Sequence, residues 1–429
     1  ISYTIKANGK TVKGGKMSVN VEPQGSKEIT IATSGLKSKP GTEYFIYFNV
    51  TTTEPEPLIP VGHEIAYEQF RLPIEPGERT FATGGPALKV SAEGNELTAS
   101  SSKVNFVFDK KTGLVSSYKV GGTEYFKDGF GLQPNFWRAP NDNDYGNGNP
   151  KRLQVWKQSS KNFNVVDANI VMDGKDAVLT ANYLLAAGNL YIVTYRISPS
   201  GVVKADFTFT STDMEAAKTE ASEATLMATF TPGSDAARKA ASKLEVPRIG
   251  VRFRLPAEMN QVEYFGRGPE ENYIDRNAGT LIDLYKTTAD QMYFPYVRPQ
   301  ENGHHTDTRW LTLNKKGGKG LTIYADKTIG FNALRNSVED FDGEETVSRP
   351  YQWLNRDAGE LVHDESKAKD QLPRKTHIND ITPRNFVEVC VDMKQQGVAG
   401  YNSWGARPEP GYNIPANQEY KWGFTIVPR

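Results

Sequence analysis

The sequence predicts an all-β fold. Three observations carry that prediction: apolar and polar residues alternate with period two through most of the chain, turn-forming residues recur at short intervals, and helical periodicity is scarce. At 429 residues, 38% of them apolar and 24% charged, the chain has material for a sizeable core and too little charge for disorder. Two or three domains are expected at that length, although all-β units run long. The 51 lysines and arginines equal the 51 aspartates and glutamates, so no basic surplus exists to bind a phosphate backbone and a nucleic-acid partner is disfavoured. The single Cys390 lies in the alternating run FVEVCVDM, where a small buried hydrophobe fits. One thiol makes neither a disulfide framework nor a thiolate metal cluster within the chain, which leaves the redox compartment open. No apolar stretch approaches the ~20 residues of a helical membrane span, so no membrane partner is expected. The chain opens on ISYTIKANGK, in what reads as mid-strand and without an initiator Met or a signal-peptide pattern, and is expected to continue upstream.

Each element follows from its own pattern. MSVNVEPQGSKEITI reads as two strands around Pro23, Gln24 and Gly25. VNFVFDKKTGLVSSYKVGG is a hairpin turning at Asp109 to Gly113, and YIVTYRISPSGVVKADFTFTS a second turning at Pro199, Ser200 and Gly201. Further strands are expected in AVLTANYLL, GVRFRLP, QVEYFG, RWLTL, GLTIYA, FVEVCVDM and KWGFTIVP. The one helix candidate is DAARKAASKL after Ser234, with that serine or Asp235 as N-cap. The acidic TSTDMEAAKTEASEATLMA reads as a loop or short helix without chemistry. Proline and glycine concentrate in PIEPGERTFATGGP, which divides residues 1–75 from 88–429 through a linker at 76–87. An immunoglobulin-like sandwich takes about seven strands in ~100 residues. The first segment, with four or five strands ending in HEIAYEQFRLP, therefore reads as a partial sandwich of that kind. The second, rich in strands and lacking any βαβ repeat, reads as one large antiparallel sandwich.

Four stretches are dense in polar and aromatic groups where turns belong. In NFWRAPNDNDYGNGNP, residues 135–150, Asp142, Asn143 and Asp144 resemble the start of a calcium loop, but its glycine and distant glutamate are out of register, and an Asx-rich turn is the plainer reading. In YFGRGPEENYIDRNAGT, Arg267, Glu270, Glu271, Asp275 and Arg276 read as a solvated ion-pair loop. In PYVRPQENGHHTDTRWLTL, an extended backbone would turn Asn302 and His304 one way and His305 and Asp307 the other. Two histidines on opposite faces chelate a metal poorly, so either a sugar-facing rim or a hydrogen-bonded turn is expected there. The fourth stretch, QGVAGYNSWGARP, places Trp404 among glycines and a proline, either as a plug on the core or as a platform for a flat ligand.

Taken in order, RAPNDND, FGRGPEENYIDRNAG, MYFPYVRPQENGHHTDTRWL and GVAGYNSWG resemble the C-terminal region of family 2 glycoside hydrolases, the large multidomain bacterial β-galactosidases. HEIAYEQFRLP likewise resembles the closing strand of the immunoglobulin-like domain that precedes that region. The resemblance implies a partial second immunoglobulin-like domain followed by a large mutarotase-like, galactose-binding sandwich that completes the sugar pocket and supports the quaternary structure. It also implies that the two catalytic glutamates of a retaining mechanism stand on a TIM barrel outside this chain, so that no catalytic residue is expected here and the chain alone is expected to be inactive. Adjacent Glu270 and Glu271 are no substitute for two carboxylates flanking a glycosidic bond.

Trp404 is the residue the resemblance carries over to the substrate, stacking on the sugar. Glu301, Asn302, His304, Asp142 and Asp144 are further substrate-facing candidates from motifs that match the family without a transferable contact. No metal or other cofactor is implied for this region; magnesium or sodium, where the family uses one, belongs to the barrel. The implied partners are a galactoside or other carbohydrate and the missing barrel, with room for a homo-oligomer, in a bacterial cytoplasm or periplasm. Two other readings stay open: a self-standing carbohydrate-binding module using Trp404 with Tyr401 or Tyr412, and a sugar epimerase using His304 or His305 with Glu301 as acid and base.

Overall fold

Burial alternates residue by residue along strands such as Val104–Asp109, Asp176–Leu184 and Val203–Phe209, as the sequence pattern requires, whereas Arg248–Pro256 and Phe386–Gln395 are buried nearly throughout. In the computed structural model the described residues are 1–187, 189–210, 245–342, 375, 377–402 and 404–429, with the backbone of two short strands, Trp353–Asn355 and Glu360–Val362. The helix expected after Ser234 and the acidic segment between Ser211 and Ala228 lie outside them.

The first segment forms an antiparallel sheet of four strands in the order Lys10–Lys16, Ser2–Ala7, Tyr44–Thr51, Glu64–Arg71. Its own core is small, centred on Ile5, Tyr44 and Ile46. The two strands expected in MSVNVEPQGSKEITI do not form. The turn is there, with Gln24 in the left-handed region at φ 62°, but neither arm pairs in a ladder, and Val21 and Ile29 stay exposed. Alternation alone does not make a strand where no neighbour offers hydrogen bonds. The sheet leans on the second segment through Phe45, which packs with Phe265, Ile282 and Trp310, and through Arg309, which donates to Glu43 Oε2 at 2.6 Å.

From residue 88 the chain builds a sandwich. A five-stranded meander (Lys89–Glu93, Glu96–Ser100, Val104–Asp109, Leu114–Val120, Thr123–Glu124) contains the first expected hairpin, closed by Gly113 at φ 70°. It faces a twelve-stranded sheet, both counted among the described residues. Phe106 meets Tyr195 at 5.6 Å between ring centroids and Phe108 meets Tyr183 at 6.4 Å, so aromatic rings from the two layers interdigitate across the core. The second hairpin forms as Leu190–Ile197 and Val203–Phe209. The remaining expected strands appear as Asp176–Leu184, Arg248–Pro256, Gln261–Gly268, His305–Asn314, Gly320–Leu334, Phe386–Gln395 and Tyr420–Pro428.

Gly320–Leu334 is the joint of the large sheet. Its first half pairs with Tyr420–Pro428 and its second half with Phe386–Gln395, around a short exposed stretch at Asp326–Thr328. Three short helices that the sequence pattern did not announce, Asp142–Gly146, Asn149–Arg152 and Gln154–Ser159, lie between strands, each too short to show a helical period. The last buries Trp156 fully against Phe136 and Phe209. Trp156→Ala should destabilise the sandwich by about 3–5 kcal/mol, the usual range for emptying a large aromatic site. The check is a lowered denaturation midpoint at unchanged far-ultraviolet signal in the native baseline.

Candidate functional site

The four polar stretches, far apart in sequence, meet at one place. Asn141, Asp142 and Asn143 of the first, Tyr273 and Arg276 of the second, Tyr296, Gln300 and Glu301 of the third, and Val398, Ala399 and Gly400 of the fourth line a cavity of about 170 Å³.

A buried charge cluster underlies it. Arg248, Arg252 and Arg254 fall on one face of the strand Arg248–Pro256 because they are an even number of residues apart, four and then two. Arg248 is fully buried; its Nη2 donates to Glu301 Oε1 at 2.7 Å and to Gln395, and its Nε lies 3.3 Å from Asp392 Oδ1. Gly250 stands between them because a Cβ there would collide with the Asp392 carboxylate. Arg252 forks onto Glu339 at 2.9 and 2.7 Å. Burial, and secondarily the charge of Glu301, push the Asp392 carboxyl up to about 7 against the pull of Arg248. With Asp392 protonated, Arg248 and Glu301 balance one charge against one, which is the state a dry interior tolerates best. His304 is buried, stacked on Tyr273 at 5.6 Å, and its Nδ1 is 3.7 Å from Asp392; burial first and the Arg248 charge second hold its pKa well below the ordinary histidine value.

A second buried pair shapes the first loop. Arg138 grips Asp144 through two bonds, Nη1 to Oδ2 at 2.6 Å and Nη2 to Oδ1 at 3.1 Å. Asp144 also closes a capping box, accepting from Asn141 N at 3.0 Å while Asn141 Oδ1 accepts from Asp144 N at 2.9 Å, and it takes a further bond from Asn149 at 2.8 Å.

The loop bearing Trp404 is held at its root. Asp275 accepts from Val398 N at 3.0 Å and Ala399 N at 2.7 Å; Asn141 Nδ2 donates to Val398 O at 3.0 Å, and Arg138 Nη2 to Gly397 O at 3.3 Å. Further on, Asn402 Oδ1 accepts from Trp404 N at 2.9 Å and Ala406 N at 3.2 Å. Gly405, at φ 97°, lies against Gly146 so closely that a Cβ on Gly146 would come 2.7 Å from Gly405 Cα. The indole itself is 87% exposed, so it is not a plug on this chain's core.

The sequence-derived candidates thus divide. Asp142 lines the cavity with a 71% exposed side chain, paired to Arg298 at 3.0 Å. Glu301 reaches the lining but is otherwise buried, bonded to Arg248 and, at 3.2 Å, to Asn332. Asp144, Asn302 and His304 are buried; Asn302 spends its amide on Gln300 O at 2.9 Å and Phe294 N at 3.2 Å. The expected alternation at 302–307 is broken by Gly303 at φ 70°, and both ring nitrogens of His305 sit near backbone carbonyls, of Gly303 at 3.0 Å and Pro269 at 3.1 Å. Neither histidine lines the cavity.

The ion-pair loop at 264–280 is more than solvated charge. Glu271 accepts from Gly303 N at 2.7 Å, Arg276 at 2.7 Å and the Tyr296 hydroxyl, and Asp275 clasps the Trp404 loop. Its tyrosine and arginine at 273 and 276 face the cavity, where sequence reasoning had weighed only charge pairing. Among the described residues, no group of three or more His, Cys, Asp or Glu is arranged to hold a metal ion.

Fold and site define a two-part β protein whose loops, rather than its strands, gather the polar cavity and present the exposed indole. Residues 100–426 match the family described as beta galactosidase small chain, and residues 1–73 the one described as beta-galactosidase, domain 4. The chain belongs to the β-galactosidase family and corresponds to the C-terminal part of those enzymes. It is 29% identical to a β-galactosidase of Priestia megaterium over 99% of this chain and 36% of the relative, and 30% identical to that of Kluyveromyces lactis over 62% and 24%. The chain therefore spans just over a third of the first of these relatives. A galactose 1-epimerase of Lactobacillus acidophilus superposes over 80% of this chain and 98% of its own at 7% identity and a TM-score of 0.36.

The raised pKa of Asp392 gives the cluster a pH signature. Its folded pKa stands above its ordinary 3.8, so its contribution to stability is complete below about 4 and is lost as pH rises to about 7. Asp392→Asn removes that loss. The stability of the variant relative to the parent should therefore improve steadily from pH 4 to pH 7, as read by urea midpoints. A flat difference would mean that Asp392 ionises in the fold as it does in the unfolded chain.

Proposed function

We propose that this chain forms the outer wall of the sugar pocket of an enzyme hydrolysing terminal β-D-galactosides, with the hydrolytic carboxylates on a part of the enzyme it does not span. The observation that carries this reading is the Trp404 loop: its root is fixed by Asp275, Asn141 and Arg138 while its indole stands 87% exposed. A large flat ring kept in water by a built loop is oriented toward something outside the chain. One face of galactose offers a patch of C–H groups that an indole covers at low entropic cost.

A retaining mechanism needs a carboxylic acid and a second carboxylate about 5 Å apart across the bond. The carboxylates lining the cavity, Asp142 and Glu301, are committed to Arg298 and Arg248. Hydrolysis in this reading belongs to the catalytic barrel, the chain's partner, and no metal or other cofactor is invoked for this region. Asp142 and Glu301 shape the rim, whereas Asp144, Asn302 and His304 hold the loops that carry it. A second reading, a self-standing sugar-binding module, draws on the exposure of Tyr401 and Tyr412 near Trp404 in sequence. The epimerase reading finds no support in the histidines: both are buried and outside the cavity lining, and His305 has both ring nitrogens against backbone carbonyls.

In the intact enzyme, Trp404→Ala should raise KM for a galactoside about 3- to 10-fold, a loss of roughly 0.6–1.4 kcal/mol, with kcat little changed if stacking is equal in ground and transition states. An unchanged KM would remove the indole from the pocket. The chain by itself should leave a chromogenic galactoside unhydrolysed and bind galactose no tighter than ~1 mM. Calorimetric binding well below that value would favour the self-standing module.

A further inference from the structure

We infer that Asp275 is a positioning residue for Trp404. Its carboxylate fixes the loop that carries the indole, and through it the affinity for sugar; the inference rests on the pocket-wall reading for its functional half.

The carboxylate reaches two consecutive amides, Val398 N at 3.0 Å and Ala399 N at 2.7 Å, one on each oxygen. Two donors converging on one carboxylate form a charge-assisted clasp that a neutral side chain does not reproduce. Among the described residues no lysine, arginine or histidine pairs with Asp275, although Arg276 stands next to it and pairs with Glu271 at 2.7 Å. The loop is shaped to receive the clasp. Gly397 has no Cβ where one would come 2.5 Å from Asp275 Oδ2, and Ala399 sits at φ 56°, a left-handed conformation that an alanine holds only when its surroundings impose it.

The clasp is also placed to matter. It grips the loop at the cavity lining, since Val398, Ala399 and Gly400 are lining residues, and the chain then runs through Asn402, whose side chain caps the amide of Trp404 itself. Downstream, the contact of Gly405 with Gly146 closes the loop onto the helix whose N-cap, Asn141, bonds Val398 O. Releasing Asp275 leaves that far contact in place and removes the two amide bonds at 398 and 399, so the near end, still tied through Asn141 and Arg138, loosens and the indole loses its fixed direction while the fold is kept.

Two measurements test this. Hydrogen–deuterium exchange on the chain itself should show peptides covering 397–401 exchanging at least tenfold faster in Asp275→Asn, with Phe386–Gln395 unchanged; undiminished protection at 398 and 399 overturns the clasp. In the intact enzyme, Asp275→Ala should raise KM by about the same factor as Trp404→Ala, and the double variant should be no worse than either single one. Additive effects on KM would overturn action through Trp404, since a merely structural defect would add to the loss of the indole. If Trp404→Ala alone leaves KM unmoved, the pocket-wall reading falls, and the clasp stands or falls on the exchange result.

Discussion

The buried guanidinium of Arg248 is the point on which the sandwich and its loops converge. One planar group contacts Glu301 from the cavity loop, Gln395 and Asp392 from the neighbouring strand, and the carbonyl of Trp137 at 3.3 Å from the segment leading into the first loop. Buried ion pairs of this sort are a poor source of net stability, because desolvation cancels much of the attraction. Their effect is on geometry: a guanidinium has fixed donor directions, and each partner is satisfied only in one arrangement. The loops at 135–150 and 295–305 are thereby locked to the same strand, and the cavity between them follows.

The same logic runs outward in shells. Arg138 and Asp144 fix the helix that begins at Asn141, Asn141 and Asp275 fix the root of the Trp404 loop, and outermost groups such as Asp142, Arg276 and the indole meet solvent. Polar residues are dense in these stretches because a long irregular segment inside a protein must satisfy its own backbone. Density of polar groups therefore marks a region of dense hydrogen bonding, within which Asp144, Asn302 and His304 are buried and hold the loops.

What the sequence revealed follows from range. Strands such as Asp176–Leu184 and hairpins such as the one closed at Gly113 were legible because alternation and turn chemistry are local signals. The absence of strands in MSVNVEPQGSKEITI was not, because pairing depends on a neighbour that no local pattern specifies. The short helices after Asn141 were invisible to a periodicity argument, though the capping box from Asn141 to Asp144 was written in the sequence. The convergence of the four motifs was not legible, since pairs such as Arg248 with Glu301 and Asp275 with Ala399 lie 53 and 124 positions apart.

Cys390 sits inside the same cluster, its sulfur 3.7 Å from an Arg248 nitrogen, on a strand buried on both faces. Burial, more than any neighbouring charge, pushes its thiol pKa well above the ordinary value, so the nucleophilic thiolate is scarce and shielded. As the sole thiol of the chain it is a built-in clock for opening. A thiol reagent reaches it when the groups packed over that face of the sheet, Asn302, Val338 and Phe341 among them, move aside, and the labelling rate reads how often the cover of the central strands opens.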